Sequence, residues 1–495
     1  MKRILCFFLM LLLLLLMVAC SPETIIQTVV VTEVVTEFVE VEREVVVTEV
    51  VEIVQELVVT EVVEVKVEIP VTVGAQTVVE FWTTDNEEVQ ISAYEAVAER
   101  YMATHPDVDI RIVPIEESGV IQRINTARTA NRLPDIVRMG IEHVPGLAGE
   151  GVLDEIAAET VINDLGVGEF RTSLLGLVTN PVSGAYSAVP FDGWLQGIWY
   201  RTDIFNDLGL AAPTTWSAIN AACDALPGTG NLLYGLTLAT DPGQNYSHTM
   251  FEQIAISNNA WPFDLDGNVT MNTPQMVQAL EFYTDLQRCA TPGEQYWRGA
   301  RENYETDKSG MLFYSTYILD DLVDGSGLEG GGNVNITVDN LALKTGYSSN
   351  LQGPNGAAVY GQLMTLAIIQ GANPAAQDVV KYFLTDGYLD ILVLAPFEKV
   401  PVTRSAVNGW RDLSPYFDNY SDETLNQIAS GFDSLQRWLF RPNYDLTERT
   451  IIREIEGQLL IPQAINNIAI QGTMTPESAA VWLQEEVVKL VEEQE

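Results

Sequence analysis

Thr77-Val78-Val79-Glu80-Phe81-Trp82, then Ile91, Tyr94, Ala98 and Tyr101 at helical spacing, then Asp107-Val108-Asp109-Ile110-Arg111-Ile112-Val113: this stretch decides the fold class. The first run is rich in β-branched and aromatic residues and suits a strand. The four spaced residues share one helical face, and the last run alternates like a second strand. A strand, a helix and a strand in that order predict a parallel sheet with a helical crossover. Working outward, Thr273-Pro274, Asn373-Pro374 and Thr475-Pro476 each read as a helix start, a polar cap followed by proline in the first turn. About 419 residues of this α/β texture are too many for one core, so two lobes are expected.

Toward the N-terminus the texture changes twice. Residues 23–73 hold 21 valines and twelve glutamates, with no Trp, Tyr or Gly. Thr-Glu pairs at 36, 48 and 60 recur every 12 residues. Such low-complexity repetition builds no compact core and reads as a spacer, with an oligomerising coiled coil as the other reading. Extended, it would reach ~165 Å; as a helix, ~75 Å. Before it, Lys2 and Arg3 precede an apolar run from Ile4 to Val18 that ends Val18-Ala19-Cys20. The run is short for a membrane span and reads as a signal peptide. Small residues before Cys20 resemble a bacterial lipobox, which implies lipidation of Cys20 and anchoring on the outer face of a cell membrane. The domain boundaries expected are 1–19 signal peptide, 20–76 stalk, and a body from 77 onward.

Composition excludes several function classes. With 26 basic and 68 acidic residues among 495, the formal charge is −42, of which −34 falls after residue 73. So acidic a body repels nucleic acid and disfavours strongly anionic ligands. Three histidines and four cysteines leave little room for zinc or iron–sulfur chemistry, so no metal and no cofactor is expected.

Further stretches carry a family likeness. They are Tyr94 to Val113, Leu133-Pro134-Asp135-Ile136-Val137, Gly149 to Asp154, and Ala188-Val189-Pro190-Phe191-Asp192-Gly193-Trp194 running on through Trp199 to Phe205, Leu208-Gly209-Leu210 and Pro213 to Trp216. Lys308 to Met311, Gly353 to Gly356, Lys399 to Arg404 and Gly472 to Glu477 follow in order. In this order they resemble the extracellular solute-binding proteins of ABC importers, in the sugar-binding branch related to maltose-binding protein. The resemblance covers nearly all of the body. It implies a two-lobe α/β fold of the periplasmic-binding-protein type (type II), with hinge crossovers. Lobe one would be 77–189 plus about 367–412, and lobe two 190–366 plus about 413–495. It also implies a carbohydrate ligand, ABC permease subunits as partners, and no catalysis.

A sugar shows hydroxyls at its edge and C–H groups on its faces, so its site needs flat aromatics beside paired polar groups. Trp82, Thr83 and Asp85 follow the first strand, at the carboxyl end where α/β ligands bind. Asp192, Trp194 and Gln196 fall at the first lobe crossing that the resemblance implies. Tyr314 and Tyr317 sit where the family places a cleft aromatic, and Arg404 follows another cleft segment. Trp261, Trp297 and Trp438 are further candidates, while Trp199 and Trp216 read as core. Cys223 and Cys289 form a possible disulfide in an exported protein, or two small buried residues.

Three patterns are set aside. Gly325 to Gly330 matches G-x-G-x-x-G but precedes more glycine rather than a helix, and Asp264-Leu265-Asp266-Gly267-Asn268 reads as a hairpin turn rather than a calcium loop. The three histidines form no zinc motif. The alternatives to a sugar receptor are a receptor for a polyamine or other small solute, a cell-surface glycoside hydrolase using two of the many carboxylates, and a structural surface protein.

Overall fold

The computed structural model describes residues 76–323, 336–392 and 399–494, plus four short strand segments nearer the N-terminus. The signal peptide, Cys20 and the Gly325–Gly330 motif lie outside the described residues. The chain divides into Met1–Ala75 and Gln76–Glu495, at the boundary where the valine–glutamate texture ends. In the first unit Gln27–Thr28 pairs with Lys66–Val67, and Thr48–Val50 pairs with Thr60–Val62, both antiparallel. The second ladder joins two copies of the twelve-residue repeat.

The second unit is built on a nine-stranded mixed sheet. Strand β1 (Thr77–Thr83), helix α1 (Glu88–Thr104) and strand β2 (Val108–Pro114) form the expected crossover, with β1 and β2 parallel. Tyr94, Ala98 and Tyr101 are buried on the inner face of α1 and Ile91 sits half-buried beside them. Strand β3 (Ile136–Gly140) is parallel to β1 on its other side. The remaining strands are β4 (Val189–Arg201), β5 (Tyr234–Thr237), β6 (Ser309–Ser315), β7 (Thr345–Ser348), β8 (Tyr360–Ile368) and β9 (Val400–Pro401). The order is β2-β1-β3-β8-β4-β6-β5, with β7 and β9 also on β4.

Two long strands carry the sheet from one half to the other. The first residues of β4 pair with β8 and β9, and its last residues pair with β6 and β7. In β8, residues 364–368 pair with β3 while residues 360–366 pair with β4, with a register shift between Met364 and Thr365. Glycines allow the contact: a Cβ on Gly193 would collide with the Gln362 carbonyl oxygen, and one on Gly361 with that of Trp194. Two of the three Pro-marked helices start at their proline, Pro274 and Pro476, with Thr273 capping the Met276 N–H; the third starts one residue late, at Ala375, whose N–H donates to Asn373 Oδ1. The turn at Asp264 is a hydrogen-bonded hairpin turn, its carboxylate accepting from the N–H groups of Asp266 and Asn268. Trp199 and Trp216 are core, and so is Trp438, whose indole N–H donates to the Ala260 carbonyl. Cys223 and Cys289 are bonded, with Cα atoms 5.5 Å apart. Among the described residues no helix is long and apolar enough to cross a membrane.

Candidate functional site

All five residues of β3 are buried, and the middle one is Arg138. A buried guanidinium must be paired, because desolvation penalises the charged form. Arg138 donates to both oxygens of Asp192, from Nη2 at 2.7 Å and Nε at 3.0 Å. Its Nη1 lies 3.0 Å from Asp85 Oδ1 and donates to Thr84 Oγ1. Lys399 Nζ adds a second cation, 2.7 Å from Asp85 Oδ2 and 3.7 Å from Asp192 Oδ1. Tyr94 also donates to Asp85 Oδ2, at 2.8 Å. Burial alone would raise the Asp85 pKa, but Arg138 and Lys399 outweigh it and bring it down to about 2. The result is a charge-balanced knot of two acids and two bases, drawn from β1's end, β3, β4 and the approach to β9.

The knot forms the floor of a cavity of about 290 Å³. Trp194, Tyr317 and Tyr360 supply its aromatic wall. Trp194 lies 6.1 Å from Tyr360 and 6.0 Å from Tyr317, tilted in both cases. Arg437 stacks 4.5 Å above the Tyr360 ring, and its Nη1 donates to Gln362 Oε1 at 2.9 Å. Glu252 fixes that guanidinium from behind at 3.1 Å, while also accepting from the Trp438 N–H and lying 3.2 Å from His248 Nε2. Burial would raise the Glu252 pKa, and Arg437 leads the charges that bring it down. Glu142, Glu456 and Asn245 complete the polar wall. The Glu142 carboxyl is pushed up by burial, and Glu117 at the rim is pushed up by burial and then by Glu142.

A second chamber of about 480 Å³ shares Thr84, Asp85 and Tyr317 with the first. Trp297, Tyr314, Arg301, Asp320 and Asp321 line it. Arg301 Nη1 donates to Asp321 at 2.7 Å, and its Nε lies 3.6 Å from Glu305. Glu305 is fully buried with neither carboxyl oxygen hydrogen-bonded, and burial followed by Asp321 pushes its pKa up to about 8.

Of the sequence candidates, Asp85, Trp194, Tyr314, Tyr317 and Trp297 meet at these two chambers. Asp192 and Gln196 stand one step behind. Asp192 grips Arg138, and Gln196 exchanges hydrogen bonds with Thr249, a wall residue. The strand end positions Thr84 and Asp85 at the mouth rather than their neighbours. Thr83 is buried, accepting from the Asp85 N–H, and Trp82 is core, donating to Glu80 at 2.6 Å under the Arg123 guanidinium. Trp261 lines neither chamber. Its ring carries Arg441 at 4.8 Å and its N–H goes to Asn259. Arg404 lines a separate hollow of about 460 Å³ with Phe170 and Tyr186, held 3.8 Å from Asp433. His248, which belongs to no zinc motif in the sequence, is buried beside Glu252. Sequence reading missed Arg138, Glu142, Tyr360, Gln362, Arg437 and Glu456. A lone charge inside an apolar strand was the available signal for Arg138; nothing distinguishes Glu142 and Glu456 among 68 acidic residues.

A family profile described as bacterial extracellular solute-binding protein matches residues 85–389, more than half of the chain. The chain belongs to that family. Among curated relatives of this solute-binding protein is a putative ABC transporter periplasmic-binding protein of Escherichia coli, 27% identical over 341 residues, covering 68% of this chain and 75% of the relative. Another is the mannitol-binding protein of Pseudomonas aeruginosa, 25% identical over 46% of this chain and 51% of its own length. Among solved structures, maltose-bound MalE3 of T. maritima superposes with a TM-score of 0.62 at 19% identity, over 84% of this chain and all of that one (100%). The likeness shows the two-lobe fold.

Proposed function

We propose that this solute-binding protein captures a carbohydrate between its lobes and delivers it to an ABC permease, held at the outer membrane face by a lipid on Cys20. The observation that carries the reading is the pair of adjoining chambers, where aromatic side chains, Trp194 and Trp297 among them half-buried, stand beside charged groups such as Arg138 and Arg437 that are held by buried partners. Aromatic faces suit sugar C–H groups, and fixed polar groups suit hydroxyls. The relatives point the same way, one named for mannitol and one solved with maltose. Lobe one is 77–189 plus about 367–412, lobe two is 190–366 plus about 413–495, and β4 and β8 are the hinges between them. Closing on the ligand sequesters it, and docking on the permease reopens the cleft. The ligand leaves unchanged; no bond is made or broken.

Thermal shift with a panel of mono- and disaccharides tests the ligand class. Stabilisation by a sugar, without appearance of new reducing ends, is the expected result. New reducing ends would favour the hydrolase. Incorporation of labelled palmitate in a bacterial host, lost in Cys20→Ser, tests the anchor.

A further inference from the structure

The charges in the first chamber do not balance. Asp85 and Asp192 are matched by Arg138 and Lys399, and Arg437 is matched by Glu252. That leaves Glu117, Glu142 and Glu456 on the walls, with no Lys or Arg within ion-pair distance of any of them among the described residues. The histidine 3.5 Å from Glu142 does not compensate. Burial, then Arg453, holds His143 at a pKa of about 4, so it is neutral at pH 7. The hydrogen bonds are lopsided too. Asn245 spends its amide N–H on Glu456 Oε1, and its own Oδ1 is buried without any donor. Glu142 accepts from the Gln362 side chain. The free capacity of this chamber is therefore for donors, and its free charge is negative. The second chamber repeats the bias, with Asp320 on its wall in excess of the Arg301–Asp321 pair.

Resting on the carbohydrate reading above, we infer that the solute is a saccharide bearing a protonated amine, its ammonium seated between Glu142, Glu456 and Asn245 Oδ1. An ammonium brings three donors and one positive charge, which answers both deficits at once. A neutral hydroxyl brings one donor and leaves the carboxylates uncompensated as closure removes water. Trp194 then carries the ring face.

The test is calorimetry on the full chain at pH 7 with matched sets of gluco-, galacto- and manno-configured sugars. Each set holds the hexose, its 2-amino form and its 2-acetamido form, and spermidine is added as a separate probe. The amino member of the preferred set should bind at least about tenfold tighter than its neutral partners. In Glu142→Gln/Glu456→Gln that advantage should collapse to less than about threefold. Equal or tighter binding of a neutral member would overturn the inference and leave the carbohydrate reading intact. Heat from spermidine with every sugar silent would overturn both, as would silence throughout. Because the ligand series is run on the unaltered chain, a variant that misfolds does not blur the outcome.

Discussion

Single residues at the cleft divide into those that touch a ligand and those that hold the touching groups still. Trp194, on the cavity wall, belongs to the first kind on the proposed carbohydrate reading. Replacing it with alanine removes a half-buried aromatic platform, and sugar affinity should fall by roughly 30-fold, about 2 kcal/mol, in calorimetry. Asp192 belongs to the second. Asp192→Asn leaves Arg138 buried with one acid fewer, a loss of about 3–5 kcal/mol in denaturant unfolding. Glu305 makes a prediction about pH. Its carboxyl is pushed up to about 8 in the folded chain, against an ordinary value near 4.5. The folded state therefore holds a proton there that the unfolded state has released. Stability falls between about pH 4.5 and pH 8, by up to about 1.4 kcal/mol per pH unit. Glu305→Gln should flatten the pH dependence of denaturant midpoints across that window. Asp85 runs the other way. Its lowered pKa contributes stability above about pH 4 that disappears as pH falls toward 2.

At the scale of elements, β4 and β8 matter most, because each pairs with both parts of the sheet. Gly193 faces the Gln362 backbone so closely that an added methyl must push the strands apart. Gly193→Ala should cost about 1–3 kcal/mol and weaken ligand binding, since Trp194 and Gln362 both move with it. The disulfide ties the end of the Trp216–Ala225 helix to the Leu286–Cys289 turn across a 66-residue separation. Cys223→Ser should lower stability by about 4 kcal/mol if the bond acts by restricting the unfolded chain. Elements were well legible in the sequence where the signal is local. The β1-α1-β2 crossover follows from periodicity, and the helix starts follow from a cap and a proline. The site was half legible. Aromatics near motifs, such as Trp194 and Trp297, could be picked out. Trp82 and Trp261 could not be separated from them, because strand-end geometry and neighbouring arginines decide which indole meets the cleft. Arg437 and Glu456 come from C-terminal segments whose approach to the cleft depends on long-range packing that no local pattern encodes.

For the whole molecule, the two strands that span the sheet are the natural place for lobe motion, since the backbone there is shared rather than merely packed. Small-angle scattering should show a smaller radius of gyration on adding the bound sugar, and an unchanged one for Trp194→Ala at the same sugar concentration. Read as a spacer, residues 20–76 would offer reach rather than recognition. The described part of its repeat pairs as short ladders, so its span is expected to fall below the fully extended limit of ~165 Å.

The charge knot also has a history within each molecule. Asp85 and Lys399 are 314 positions apart in the chain. At about 5–20 residues per second of synthesis, Lys399 is made roughly 15–60 s after Asp85. A chain delivered N-terminus first therefore holds Asp85, Arg138 and Asp192 for most of that interval with one acid too many. The floor of the binding site becomes electrically complete only when the last quarter of the protein arrives, so a nascent chain has no finished cleft in which to trap a solute prematurely.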